Sequence, residues 1–166
     1  MIFFKTLVLY FIVERMFIAM SFYNALTGIF AAVRREAHLR FHIMIAVLIS
    51  IFAYFYGLSG VEWAVLILMI CSVISAELFN TAIEQAVDTA TMEIKESAKL
   101  SKDAAAGAVL ALSVCSVFVG FMLFGDFKRI SDTLKFIFKT AEILIPTATT
   151  GAALLIFLIY GGKHGK

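Results

Sequence analysis

The run ELFNTAIEQAVD places carboxylates at Glu77, Glu84 and Asp88. At about 100° per residue these three fall within roughly 40° of one another on a helix, with Asn80 about 60° to one side and Thr81 about 40° to the other. Leu78, Phe79, Ala82 and Ile83 take up the rest of the circumference. An ionisable side chain within a spanning helix costs on the order of 3 kcal/mol, so it normally faces a cavity or a partner. Neighbouring carboxylates also repel one another. A divalent cation removes that repulsion, and Mg²⁺ takes one or two carboxylates together with substrate phosphates. The chemistry suggested is a metal-nucleotide site at the mouth of a membrane helix. An acidic helix end emerging into water would account for Asp88 and tolerably for Glu84, but poorly for Glu77, the deepest of the three.

Other polar groups could complete such a site. Glu36 lies in the cluster RREAHLRFH, and Lys102 and Asp103 directly precede the apolar run AAAGAV. A lysine there can hold phosphate as a point charge. Equally open on spacing alone, Lys102 is a snorkelling anchor and Asp103 an N-cap of the helix that follows. His38 and His42 form an i,i+4 pair with no third ligand, a weak zinc signal whose simpler reading is polar packing at the interface. No GxxxxGK[ST] run, no GxGxxG opening a helix and no HRD or DFG signature occurs, so nucleotide chemistry here must be built from helix side chains.

The elements that must position these groups are membrane helices. Of the 166 residues, 62% are hydrophobic, and the mean hydropathy is +0.98, well above the roughly 45 to 50% apolar content of soluble domains. The fold class expected is an all-α integral membrane protein: a surface helix over 17–40, spans over about 41–58, 61–84 and 104–125, then an interfacial helix and a possible fourth span within 126–166. Residues 1–16 read as an apolar extension that anchors at the interface, not as a cleaved leader. Lys128, Arg129, Asp132, Lys135 and Lys139 interleave with Phe127, Ile130, Leu134, Ile137 and Phe138 at helical spacing. The last apolar run carries Pro146 and three threonines, which weaken or kink a helix. Gly57, Ser59 and Gly60 make a tight turn without Lys or Arg, flanked by basic residues at 34, 35 and 40 and at 95, 99 and 102. The positive-inside trend places both basic clusters, and so both chemically rich regions, in the cytoplasm. Three spans then leave the basic segment 128–139 outside, a conflict that charge alone does not resolve. Cys71 and Cys115 read as small buried hydrophobes. A net charge of +2 gives no reason to expect a nucleic-acid partner.

The segments REAHLRFH, ELFNTAIEQAVD and KDAAAGAV together closely resemble the small membrane kinases of the prokaryotic diacylglycerol kinase and undecaprenol kinase family, over roughly residues 17–125. The resemblance implies a homotrimer in the bacterial inner membrane that uses MgATP to phosphorylate a lipid hydroxyl in active sites shared between protomers. It implies Glu77 as the general base, Glu36 and Glu84 as metal ligands, and Asn80, Asp88, Lys102 and Asp103 around the nucleotide. NTAIE, KDAAAGAVL and the histidine two residues after Arg40 look more like the undecaprenol kinases of Gram-positive bacteria, with diacylglycerol as the alternative substrate. His38 departs from the Asn usual there, and the family gives no guide to the segment after Gly125. From another class, a small transporter or proton pathway would use the same buried acids, and a catalytically dead scaffold is the third reading. A transport pathway would need polar groups running on toward the other leaflet, where only Ser50, Ser113 and Ser116 are on offer.

Overall fold

Glu36 separates the first two helices. Its backbone is extended, with φ −98° and ψ 115°, so α1 (Ile2–Arg35) ends and α2 (Ala37–Tyr56) begins around it. The structure, a computed structural model, describes the backbone of residues 2–90 and 96–162, and the side chains of all of these except 2–13 and 141. Lys95 of the basic cluster lies outside the described residues. After α2 come α3 (Gly60–Ala90), α4 (Glu96–Leu123), α5 (Phe127–Lys139) and α6 (Ala141–Tyr160), with no strand among the described residues.

The α2–α3 turn is built by the glycine and serine that mark it. Gly57 adopts a left-handed φ of 73° and its N–H returns to Ala53 O at 3.0 Å, closing α2. Ser59 N–H donates to Glu62 Oε2 at 2.6 Å, and Glu62 N–H lies 3.4 Å from Ser59 Oγ, a reciprocal cap that starts α3. Ala53, Tyr56, Leu58 and Leu66 form a buried cluster at this end, with Phe52, Phe124 and Ile130 packed against it.

That cluster explains where the basic helix goes. Asp126 caps α5 by accepting the Arg129 N–H at 3.0 Å. Arg129 Nη2 donates to Gly57 O at 2.6 Å, and its guanidinium sits 4.3 Å above the Tyr56 ring. The charge of α5 therefore serves the turn end of the bundle, where the positive-inside trend would not put it.

From there α6 runs back alongside α2. Its first turns border Tyr54 and Trp63, near the turn, while Leu158 O near its other end contacts Arg40 at the start of α2. The helix assignment is unbroken through Pro146. Thr147 and Thr149 hydroxyls donate to carbonyls of their own helix, at Ile143 and Pro146 respectively.

α3 and α4 are neighbours, and the small residues Ala105 and Ala108 of α4 border the seam beside Ser72, Ser75 and Ala76 of α3. Five helices, all but α5, contain stretches long and apolar enough to cross a membrane. Several boundaries differ from the sequence reading: α2 begins at Ala37 rather than near 41, and α3 runs on to Ala90 rather than to about 84. α1 runs without interruption from Ile2 to Arg35, about 51 Å of helix, instead of dividing near residue 16 and continuing to 40. α4 begins at Glu96, so Asp103 stands two turns inside it and is not an N-cap. Cys71 and Cys115, expected to be buried, are both exposed on their helices.

Candidate active site

The packed face of α3 is apolar at one end and polar at the other. Leu66, Val73, Glu77 and Thr81 are its buried residues, all on the carboxylate stripe. Beyond them exposure rises along the stripe. Glu77 is 5% exposed, Glu84 is half-buried and Asp88 is exposed. The acid that sequence alone found hardest to place in water is thus the one the fold removes from it.

Glu77 is buried with a partner. His42 of α2 places Nε2 3.1 Å from Glu77 Oε1, a close polar contact beside a carboxylate that would cost several kcal/mol to bury with no partner at all. A cleft of about 220 Å³ starts at His42 and runs between α2, α3 and α4, past Ala46, Val73 and Ile74 to Gly120. Its walls are almost wholly apolar.

One turn further on, Asn80 Nδ2 donates to Glu84 Oε1 at 3.0 Å. Asn80 Oδ1 is buried without a hydrogen-bond partner. Next along the stripe, Lys102 Nζ of α4 reaches Asp88 Oδ1 at 2.6 Å. This pair ties the entry of α4 to the end of α3.

Glu36 is half-buried at the α1–α2 elbow and makes no capping bond through its side chain. It precedes His42 by six residues and Glu84 follows Glu77 by seven. In antiparallel helices these offsets correspond to rises of about 9 and 10.5 Å toward the same end, so Glu36 and Glu84 share a level. Asp103 is exposed and, with His38, forms no side-chain bond among the described residues.

Among the described residues no group of three or more His, Cys, Asp and Glu could enclose a metal ion. The donors present nevertheless suit Mg²⁺, which needs only one or two carboxylates when phosphates and water supply the rest. The orphaned Asn80 Oδ1 beside Glu84 is a hard oxygen acceptor of the kind a hydrated cation satisfies.

The arrangement joins Glu77, Asn80, Glu84, Asp88 and Lys102 in one line. Reading the sequence missed His42 as the partner of Glu77 and assigned it to general interfacial packing. Hairpin symmetry was the available signal. His42 lies 14 residues before Tyr56 and Glu77 lies 17 after Gly60, so folding at that turn brings the two to one level.

The family model described as prokaryotic diacylglycerol kinase matches residues 23–124. The undecaprenol kinase of Bacillus subtilis (strain 168) is 40% identical over 104 residues, covering 63% of this chain and 85% of that protein. The diacylglycerol kinase of Synechocystis sp. is 39% identical over 101 residues, covering 60% of this chain and 58% of that protein. No solved structure matches. An all-helical chain with a carboxylate stripe at a membrane-helix mouth, matched by this family over most of its length, belongs to the prokaryotic diacylglycerol kinase family and is a lipid kinase.

Proposed function

We propose that the chain transfers the γ-phosphoryl group of MgATP to the hydroxyl of a membrane lipid, undecaprenol in preference to diacylglycerol. The observation that carries this reading is the buried Glu77 in contact with His42, which lines the head of an apolar cleft, while the Glu77 stripe continues to Glu84 and the exposed Asp88–Lys102 pair. A lipid hydroxyl reaches Glu77 from the apolar side and a nucleotide reaches Asp88 and Lys102 from water. Undecaprenol is preferred because the relative bearing that name shares 40% identity over 85% of its own length.

Phosphoryl transfer asks mainly for positioning and charge neutralisation, plus a group to take the hydroxyl proton. Glu77 accepts that proton, and His42 holds the carboxylate in one orientation while it does so. Glu36 and Glu84 would hold Mg²⁺, which supplies neutralisation of the phosphate charge. Lys102 offers a point charge to the phosphates, with Asp88 fixing its ammonium. Asn80 orients Glu84, and Asp103 lines the nucleotide side.

The kinase domain spans 17–125, with 1–16 and 126–166 as additions, and works as a homotrimer with shared sites in the inner membrane, its acidic stripe facing the cytoplasm. Support for the assembly is that α4 buries none of its residues within the chain, although it carries Lys102 and Asp103. A transporter reading loses support because Ser50 and Ser116 donate to carbonyls of their own helices, so they do not extend a polar path. The deciding experiment presents purified protein and MgATP with undecaprenol and diacylglycerol side by side. Radiolabel passing to neither lipid would refute the kinase reading, and faster transfer to diacylglycerol would reverse the substrate order.

A further inference from the structure

Two helix C-termini meet on one arginine. Arg40 is 5% exposed, yet among the described residues its guanidinium has carbonyl partners and no carboxylate. Nη1 donates to Val33 O and to Arg34 O, each at 3.0 Å, and Nε makes a longer 3.4 Å contact to Leu158 O. Val33 and Arg34 lie in the last turn of α1, and Leu158 in the last turn of α6. Carbonyls at these positions lack partners within their own helix, and the helix dipole is negative there. A buried cation ordinarily needs a counter-charge. Here two dipole ends supply it.

Gly162 permits the approach. A Cβ at that position would stand 2.9 Å from Arg40 Nη2, 3.2 Å from Nη1 and 3.2 Å from Arg34 O. The groups gathered here bracket the α1–α2 elbow, since Arg34 lies two residues before Glu36 and Arg40 four after it. α6 itself lies beyond residue 124, where the family match ends.

We propose that the C-terminal end of α6 is a clasp that acts through Arg40 to hold the elbow and so aim Glu36 at the metal. Arg40 and Gly162 are then positioning residues, and the C-terminal segment sets the enzyme's affinity for its cation. This rests on the assignment of Glu36 as a metal ligand.

The test uses the full chain in lipid, comparing Gly162→Val with Arg129→Ala, which loosens the same α5–α6 segment at its opposite end. Amide hydrogen exchange over residues 33–40 reads the clasp directly, and the Mg²⁺ concentration for half-maximal rate reads its effect. Gly162→Val is expected to accelerate exchange and raise that concentration roughly ten-fold, the scale of one lost charge-assisted hydrogen bond, with the maximal rate recovered at saturating Mg²⁺. Arg129→Ala is expected to change neither. Gly162→Ala, a smaller intrusion, moves both readouts the same way and serves if the valine variant fails to fold. Unchanged exchange in both glycine variants overturns the clasp. Accelerated exchange with unchanged Mg²⁺ dependence overturns its role in aiming Glu36. If Glu36→Gln leaves the Mg²⁺ dependence as in the parent, the ligand assignment falls by itself, and exchange still decides whether the clasp exists.

Discussion

His42 reaches from the first turns of α2 to set its Nε2 3.1 Å from Oε1 of Glu77 on α3. The contact spans the two arms of the α2–α3 hairpin and falls where the α3 face passes from Val73 to Glu84. For the proposed base, such a contact from a neighbouring helix would hold one carboxylate oxygen and leave the other able to react.

Replacing Glu77 by Gln removes the proposed base while keeping its volume. The turnover number is expected to fall by about 10² to 10⁴-fold, with KM for MgATP within a factor of about two. Steady-state kinetics in mixed micelles measures both, and a variant with parental turnover would take the base assignment from Glu77.

His42→Ala leaves Glu77 buried without its partner. Loss of a donor to a buried acid costs about 1 to 3 kcal/mol, so thermal stability in detergent should drop together with turnover. His42→Gln, which keeps a donor, is expected to recover part of each. If alanine and glutamine behave alike, a polar contact to Glu77 is not what His42 contributes.

Lys102 and Asp88 are both substantially exposed, with side-chain accessibilities of 36% and 66%, and exposed pairs add little to stability. Lys102→Met should therefore leave the melting temperature almost unchanged while raising KM for ATP roughly ten-fold or more, as loss of a charge-assisted phosphate contact does. Calorimetry and kinetics on one preparation separate the two effects. A large melting shift with unaltered KM would make the lysine a structural tie.

Gly57 holds a φ of 73°, and an added Cβ would meet Arg129 Nη2 at 3.4 Å. Gly57→Ala is expected to destabilise by about 1 kcal/mol from backbone strain. Activity below the melting transition should be kept, because the turn lies at the opposite end from the carboxylates. Thermal denaturation beside an activity assay checks this, and lost activity without lost stability would contradict that separation.

The carboxylate face was legible because helical periodicity acts locally. The positions of Glu77, Glu84 and Asp88 on one face follow from spacing, and α3 carries them as one stripe. Lys102 was evenly balanced between anchor and ligand because its pairing with Asp88 depends on how α3 and α4 dock across a loop. Asp103 was equally open as an N-cap, since Ser-Lys-Asp-Ala-Ala often is one, but α4 starts a full two turns earlier at Glu96. The path of α5 was illegible for a different reason. Its charge pattern announced an interface, yet which end it would occupy was decided by Arg129 finding the Gly57 carbonyl and the Tyr56 ring.

The rise in exposure from Glu77 through Glu84 to Asp88 is also a gradient of dielectric. Two unit charges 4 Å apart interact by about 1 kcal/mol in water and about 4 kcal/mol at an effective dielectric of 20. A charge developing beside Glu77 is thus felt several times more strongly than the same charge beside Asp88. On the proposed assignment, nucleotides would exchange at the weak-field end while bonds would be made and broken at the strong-field end, about 16 Å away along a single helix.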